Sequence, residues 1–332
     1  MKLLYLCSPG PDYLSDDLLY GLRSLLGGDV VDFPKKELLY RANSGSADRS
    51  RIYGRGFHCF GLPDVEVDRT DLPGKLASGY FDAVVNSSVW RIRSPRHPCL
   101  VGLDGEDHAR LHRRYAGRIP VYFKRELHSS AWGVHPIFFA LPDFLLDETP
   151  VPKTKEHHAS FRVHGPLRRE IARRFPPDFS FATWEEYLSD IKGSWFGISP
   201  KGEGYDCQRH YEILGHAVLC VYMDRFTPPG MKRAFLDGVN CLHFASSDEL
   251  AGKIASCRSK EELIQAGRND LKGKHLASRR AAEVLSVLRG VDLRPRKMRL
   301  SEVLEWRLFV AGMSRGARTR AEWLVSRERD RN

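Results

Sequence analysis

The chain has 332 residues, a formal net charge of +10, 42% hydrophobic residues and 28% charged residues. That composition excludes an intrinsically disordered chain, and the length passes the ~250 to 300 residues at which single cores stop growing, so two folded, water-soluble domains are expected. The basic balance points to polyanionic partners (nucleic acid, an anionic membrane face, phosphorylated substrates) or to a solvated basic surface, and does not choose among them.

Taken in chain order, Lys2 to Cys7 reads as a buried strand followed by the turn Ser8-Pro9-Gly10-Pro11. The apolar run is too short for a signal-peptide core, and no run approaches the ~18 apolar residues of a spanning helix, so a cytoplasmic location is expected. Leu14, Leu18, Leu22, Leu25 and Leu26 form one helical stripe that Gly27-Gly28 ends, and Val30 to Phe33 completes a βαβ opening. Segments Phe81 to Asn86, Cys99 to Leu103 and Ile119 to Phe123 continue a parallel-sheet pattern, whereas the polar, Gly-rich stretch Ala42 to Asp71 receives no assignment. The Pro-rich, charged stretch after Leu141 reads as a linker. Expected boundaries are 1–140 for an amino-terminal Rossmann-like domain, 141–156 for the linker, 157–292 for a second Rossmann-like domain and 293–332 for terminal helices.

In the second half, His158 to His164 is predicted as a strand and Pro166 to Phe175 as a helix. Thr183 and Glu186 make a capping box, and Trp184, Leu188 and Ile191 form the stripe of the helix it opens. Trp195 to Ser199, Val218 to Tyr222 and Asn240 to Phe244 read as strands, and Ser246 with Glu249 and Ser259 with Glu262 start further helices. Seven scattered cysteines with no C-x-x-C pair argue against zinc knuckles and disulfides.

The segment with most chemical content is Ser199-Pro200-Lys201-Gly202-Glu203-Gly204-Tyr205-Asp206-Cys207-Gln208-Arg209-His210-Tyr211-Glu212, between a strand and a helix. Asp206 is the expected N-cap, which would turn the free amides of the first turn toward a glycine-containing loop suited to phosphate. Cys207, Tyr211 and Leu214 should face the core and turn Gln208, Arg209 and Glu212 elsewhere. Arg209 can grip a diphosphate and Glu212 can accept from ribose hydroxyls, unless the two form an ordinary surface pair. Lys201 and His210 would add positive charge or simply be exposed. The Gly-x-Gly lacks the third glycine of a dinucleotide fingerprint, and no G-x-x-x-x-G-K-[ST] occurs.

This segment resembles the GT-B glycosyltransferases related to exostosin and to the spore-maturation type glycosyltransferases, whose second domain carries S-P-x-G-x-G-x-D-x-x-R-x-x-E before a short strand. The close likeness covers Trp195 to Ser247, with a looser one in Val101-Gly102-Leu103-Asp104-Gly105-Glu106-Asp107 and Tyr122-Phe123-Lys124-Arg125-Glu126. The resemblance implies a GT-B-like α/β fold of two Rossmann-like domains facing a central cleft, with a helical carboxyl-terminal tail that in such enzymes crosses back onto the first domain. It also implies a nucleotide-sugar donor with Arg209 at its diphosphate and Glu212 at its ribose, and Ser199, Lys201, Gly202, Gly204, Tyr205 and Asp206 are expected to complete the donor site.

The cluster Asp104, Glu106, Asp107 and His108 follows a strand, where ligands gather in open α/β sheets, and could hold the general base of sugar transfer or be a solvated turn paired with Lys124 and Arg125. Ser8, Gly10 and Asp12 would line the interdomain cleft of a Rossmann-like first domain or belong to a simple Pro-Gly turn, and Ser8, Gly10 and His108 are expected on the acceptor side. His108 and His112 lack the H-E-x-x-H glutamate, so no zinc site is expected, and because Arg209 and the helix amino end can offset the leaving diphosphate's charge, no metal and no cofactor beyond the sugar nucleotide are expected. The acceptor is a glycan, a lipid-linked or a small molecule. The basic run Arg294 to Arg299 and the arginine-rich Arg315 to Arg331 flank a helix that could sit on anionic lipid or be a solvated face. A non-catalytic sugar-nucleotide-binding protein and a basic nucleic-acid-binding module are the rival readings, although no nucleic-acid motif is present and no nucleic-acid partner is expected.

Overall fold

The computed structural model describes residues 1–8, 10–45, 49, 52–293 and 297–326, with side chains to 316 but not at 53. The basic run at 294–296 and the arginines beyond 326 lie outside the described residues, as do the side chains of 317–326.

The first half forms a parallel six-stranded sheet from β1 (Leu3–Leu6), β2 (Val30–Phe33), β3 (Ala83–Asn86), β4 (Leu100–Asp104), β5 (Val121–Lys124) and β6 (Val134–Pro136), in the order β2-β1-β3-β4-β5-β6. Each of the first five strands is buried along its whole length, as a sheet covered on both faces requires. Helix α1 (Tyr13–Leu26) covers one face through Leu14, Leu18 and Leu22. It ends at Gly27, whose φ of 57° is a left-handed stop. Helix α2 (Leu72–Ser78) lies on the other face, where Leu72 and Leu76 join Val89, Ile92, Tyr115 and Ile119. The short edge strand β6 was not legible, because three residues leave no periodicity to read.

The second half forms a parallel four-stranded sheet, β10-β9-β8-β7, from β7 (Lys155–Ala159), β8 (Ser194–Ser199), β9 (Val218–Tyr222) and β10 (Leu242–Phe244). Strand β7 starts earlier than the expected His158 because it is an edge strand whose first two residues face solvent, which erases the apolar signal while Lys155 still pairs with Ser194. Helices α3 (Gly165–Arg174), α4 (Trp184–Gly193), α5 (Gln208–Ile213), α6 (Pro229–Ala234), α7 (Ser247–Ser256) and α8 (Lys260–Asp270) complete this half. The capping box at α4 is present in both directions, with Thr183 and Glu186 each accepting from the other's backbone amide. Ser246 caps α7, but the side chain of Ser259 makes no cap bond at α8.

The chain passes between the halves at Leu141 and returns at Leu276, and the two passages bond to one another: Leu141 N–H donates to His275 O at 2.9 Å and Ala277 N–H to Leu141 O at 2.8 Å. Helix α9 (Ala277–Gly290) then packs on α1, so the first core includes Ala281, Val284, Leu285 and Leu288. Helix α10 (Leu300–Ser326) packs near α2, where Trp306 is fully buried and donates its indole N–H to Arg96 O at 3.3 Å. No helix among the described residues is long and apolar enough to cross a membrane.

The α1–α9 contact depends on Gly21, where a Cβ would sit 2.0 Å from the Ala277 carbonyl oxygen. Because backbone is the obstacle, Gly21→Ala must push α9 outward, at about 1–3 kcal/mol. Urea unfolding monitored by circular dichroism is expected to show that loss, whereas Gly252→Ala, at an open position of α7, should not be destabilising.

Candidate functional site

Strand β8 ends at Ser199, and the chain turns through Pro200 to Cys207 into α5. Two buried side chains shape this loop. His210 accepts from the Ser199 hydroxyl through Nδ1 (2.8 Å) and donates from Nε2 to Tyr205 O (2.9 Å), an arrangement that needs the neutral ring. Burial holds its pKa down at about 3, so His210 is a neutral staple and not the added positive charge the sequence suggested. Arg168 of α3, which sequence reasoning missed, donates from Nε to Lys201 O (2.8 Å) and from Nη2 to Pro200 O (3.4 Å). Only the folded chain brings α3 to this loop, so no local signal marks Arg168.

Asp206 is not the N-cap. Cys207 occupies that position, without a side-chain cap bond, because the Asp206 carboxylate is turned inward to accept from Phe139 N–H (2.9 Å) and from the Tyr211 hydroxyl (2.8 Å). Burial raises its pKa to about 6. Helix α5 has only six residues, so its dipole is a small contributor and side-chain cations must supply most of any anion attraction. Tyr211 and Leu214 face the core as expected, and Gly215 follows the helix with φ +82°.

The same loop is docked on the first domain. Asp206 N–H donates to Glu126 Oε1 (3.0 Å), Arg125 Nη1 donates to Asp206 O (2.5 Å), and Gln208 Nε2 donates to Ala140 O (2.6 Å). Gly204 is required there, since a Cβ would stand 2.4 Å from Glu126 Oε1 and 2.8 Å from Asp107 Oδ1. Arg125, Glu126 and Asp107 follow β5 and β4, so the carboxyl edges of the two sheets face each other across this loop.

Of the donor-side residues, Ser199 is fully buried and receives Arg209 Nη1 at 3.4 Å. Arg209 is half-buried over the Phe161 ring, and Lys201 lies over Tyr205 at 4.5 Å. Neither cation has a carboxylate within salt-bridge distance among the described residues, so both are free to meet an anion. Tyr205 donates to Asp224 at 2.9 Å. Glu203 is exposed, and around Gly202 nothing approaches a Cβ position closer than 3.5 Å.

Glu212 is neither exposed nor paired with Arg209. It accepts from Tyr187 through Oε2 (2.8 Å) and contacts His58 Nε2 through Oε1 (3.1 Å), while His58 Nδ1 contacts Asp17 at 3.0 Å. All four side chains are buried. Burial alone would lower the His58 pKa, but the Asp17 charge and the bonds to both carboxylates raise it to about 10, so an imidazolium bridges α1 to α5. His58 lies in the unassigned 42–71 stretch, where neither spacing nor composition distinguishes it from a surface histidine.

The acidic cluster separates. Asp104 is fully buried, with Lys124 Nζ donating at 2.9 Å and the Tyr122 hydroxyl also bonded, so it is a structural ion pair with no route to an acceptor. Glu106 is half-buried, with its own N–H on Asp104 Oδ1 (3.1 Å). Asp107 is exposed and held by Arg125. His108 is exposed against the Trp90 ring edge. Asp12 caps α1 through Ser15 N–H, Gly10 has φ +82°, and the hydroxyls of buried Ser8 and Ser87 have no partner among the described residues. The chain runs from β1 outward to β2 and then across to β3, so Ser8 and Ser87 stand at the topological switch point of the first sheet, where open α/β sheets form their crevice. Among the described residues, no group of three His, Cys, Asp or Glu side chains is arranged to hold a metal ion.

No family model matches the sequence, and no curated protein matches it. Among solved structures the chain is similar to HepE of Anabaena in complex with UDP and glucose, at 11% identity over 87% of this chain and 100% of that one, with a TM-score of 0.50. It is also similar to a glycosyltransferase from Rickettsia africae, at 11% identity over 87% and 98% of the two chains, with a TM-score of 0.49. The chain has the α/β GT-B architecture, two Rossmann-like halves with a helical carboxyl-terminal region.

Removing His58 would leave Asp17 and Glu212 buried without the cation they share, and His58→Ala is expected to cost about 3–5 kcal/mol at pH 8. Burial raises the Asp17 pKa to about 7 while the folded imidazolium keeps its proton up to about pH 10, so the cation and both carboxylates are charged together between those values. The unfolded ring releases its proton near 6.5, so the His58 contribution is lost as pH rises toward 10. Urea titrations of wild type and His58→Ala at pH 8 and 10 should show the gap between them narrowing.

Proposed function

We propose that this chain is a glycosyltransferase of the exostosin and spore-maturation kind, moving a sugar from a nucleotide-diphosphate donor to an acceptor hydroxyl. The observation that carries the proposal is the β8–α5 loop on the carboxyl edge of the second sheet, with two cations unpaired by carboxylate, Lys201 and Arg209, beside Gly202, where nothing stands closer than 3.5 Å to a Cβ position. The shared architecture with a protein crystallised with UDP and glucose supports the same reading.

The order of groups along the loop suits an extended donor. Glu212, at the deep end, receives the ribose hydroxyls. Arg209 and Lys201 take the diphosphate by charge-assisted bonds, and they offset the charge of the leaving group without requiring a metal. The sugar then lies toward Gly204, where the first domain arrives with Asp107 and Glu126. Asp107 is the exposed carboxylate there, fixed by Arg125, and is the candidate base for the acceptor proton. The acceptor lies over the first sheet's switch point, between β1 and β3.

Glu212 is already held by His58 and Tyr187, so a ribose either adds to those bonds on the remaining lone pairs or displaces His58. Either route requires the domains to part for entry and close again, which also keeps water from the donor.

Thermal-shift measurements with UDP, GDP, dTDP and CMP test donor binding. A nucleoside diphosphate at about a hundred times its Kd should add about 2.7 kcal/mol of stability, and Arg209→Ala should abolish the rise. Incubation with a panel of sugar nucleotides tests turnover: Asp107→Asn should lower kcat by about 100-fold or more with nucleotide affinity unchanged, and EDTA should have no effect. Nucleotide binding without transfer or hydrolysis would mark a binding protein instead.

A further inference from the structure

Helix α10 has two apolar sides. Trp306, Phe309, Val310 and Met313 pack against the first domain. Leu300, Leu304 and Leu308 point the other way and are 76%, 50% and 75% exposed. Their i, i+4, i+8 spacing sets them in one ridge about 12 Å long. Solvation does not explain three consecutive exposed leucines on a single line.

Beside the ridge is a cavity of about 680 Å³ lined by Arg96, Arg113, Arg114, Arg118 and Arg299, with Glu302 and Glu305 on the helix side. Arg299 is paired with Glu302 at 3.4 Å, and Arg114 donates to Ser94 O at 3.2 Å. Arg96, Arg113 and Arg118 are exposed and have no carboxylate within salt-bridge distance among the described residues. Backbone contacts fix their positions: Arg96 O receives Trp306, and Tyr115, next to Arg114, is anchored through its hydroxyl to Ile92 O at 3.1 Å.

We propose that this face of α10 and the adjoining arginines dock the protein on an anionic lipid bilayer. The two features call for one occupant. An apolar ridge enters the boundary between headgroups and acyl chains, and arginines at its side lie at the level of the lipid phosphates. A nucleic acid would bury the arginines but leave the leucines in water, and the ridge offers no aromatic ring for a base to stack on. An acidic protein partner would need an apolar groove against the leucines as well, whereas a bilayer supplies both environments over any area. The inference stands apart from sugar transfer, since membrane docking is measured without donor or acceptor.

The full chain should float with vesicles of phosphatidylcholine containing about one-third phosphatidylglycerol, and not with phosphatidylcholine alone, in a salt-sensitive manner. Leu300→Ser/Leu304→Ser/Leu308→Ser and Arg96→Gln/Arg113→Gln/Arg118→Gln should each lower vesicle affinity about tenfold or more while leaving the melting temperature and nucleotide binding unchanged, since these side chains are exposed. Flotation of the leucine variant equal to wild type would overturn the proposal. So would failure to float together with RNA binding that only the arginine variant loses, displacement from vesicles by millimolar inorganic phosphate, or a dimer in size-exclusion chromatography that the leucine variant abolishes without vesicle binding.

Discussion

A protonated imidazole enclosed between Asp17 and Glu212 spans the boundary between the domains. Asp17 belongs to the helix covering the first sheet, Glu212 to the short helix after β8, and His58 reaches both from a loop with little regular structure. Inside protein such charges interact far more strongly than in water, but only while all three partners are present, because an unpaired buried carboxylate is costly. The trio therefore acts across the domain boundary as a contact that is either whole or broken. It lies in the motif that resembles a donor site, so any ligand of Glu212 must share or replace His58.

Around that contact the loop is supported from both sides. From the second domain, His210 and Arg168 hold the carbonyls of Pro200, Lys201 and Tyr205. From the first, Arg125 and Glu126 grip Asp206, and Gly204 admits them because it has no side chain. What remains unsupported by carboxylates is the pair of cations Lys201 and Arg209 next to Gly202. Under the proposed function, a loop held from both sides in this way would leave little ordering to be done when an anionic ligand arrives.

Much of the framework was legible because it depends on local chemistry. The capping box Thr183/Glu186, the stripe Leu14-Leu18-Leu22 and the strands on either side of Ser199 to Glu212 emerge from periodicity and cap residues alone. Strand β7 was displaced because an edge strand has no apolar face to announce it. Asp206 has the right identity for an N-cap, yet Phe139 and Tyr211 offered its carboxylate a buried alternative that only tertiary structure provides. Asp104 reads the same in sequence as Asp107, and Lys124 and Tyr122 in the neighbouring strand make one a buried ion pair and leave the other at the surface. His58 had no signal at all, since its partners are 41 and 154 residues away.

The central claim is that a nucleoside diphosphate is held by the β8–α5 loop. Hydrogen exchange read by mass spectrometry, with and without UDP and the other diphosphates, addresses it at the level of peptides. The account predicts slowed exchange across Gly202 to Arg209, together with a change at His58 as Glu212 exchanges partners. Unchanged exchange in that loop with every nucleotide, or protection confined to the arginine-lined cavity beside α10, would contradict it.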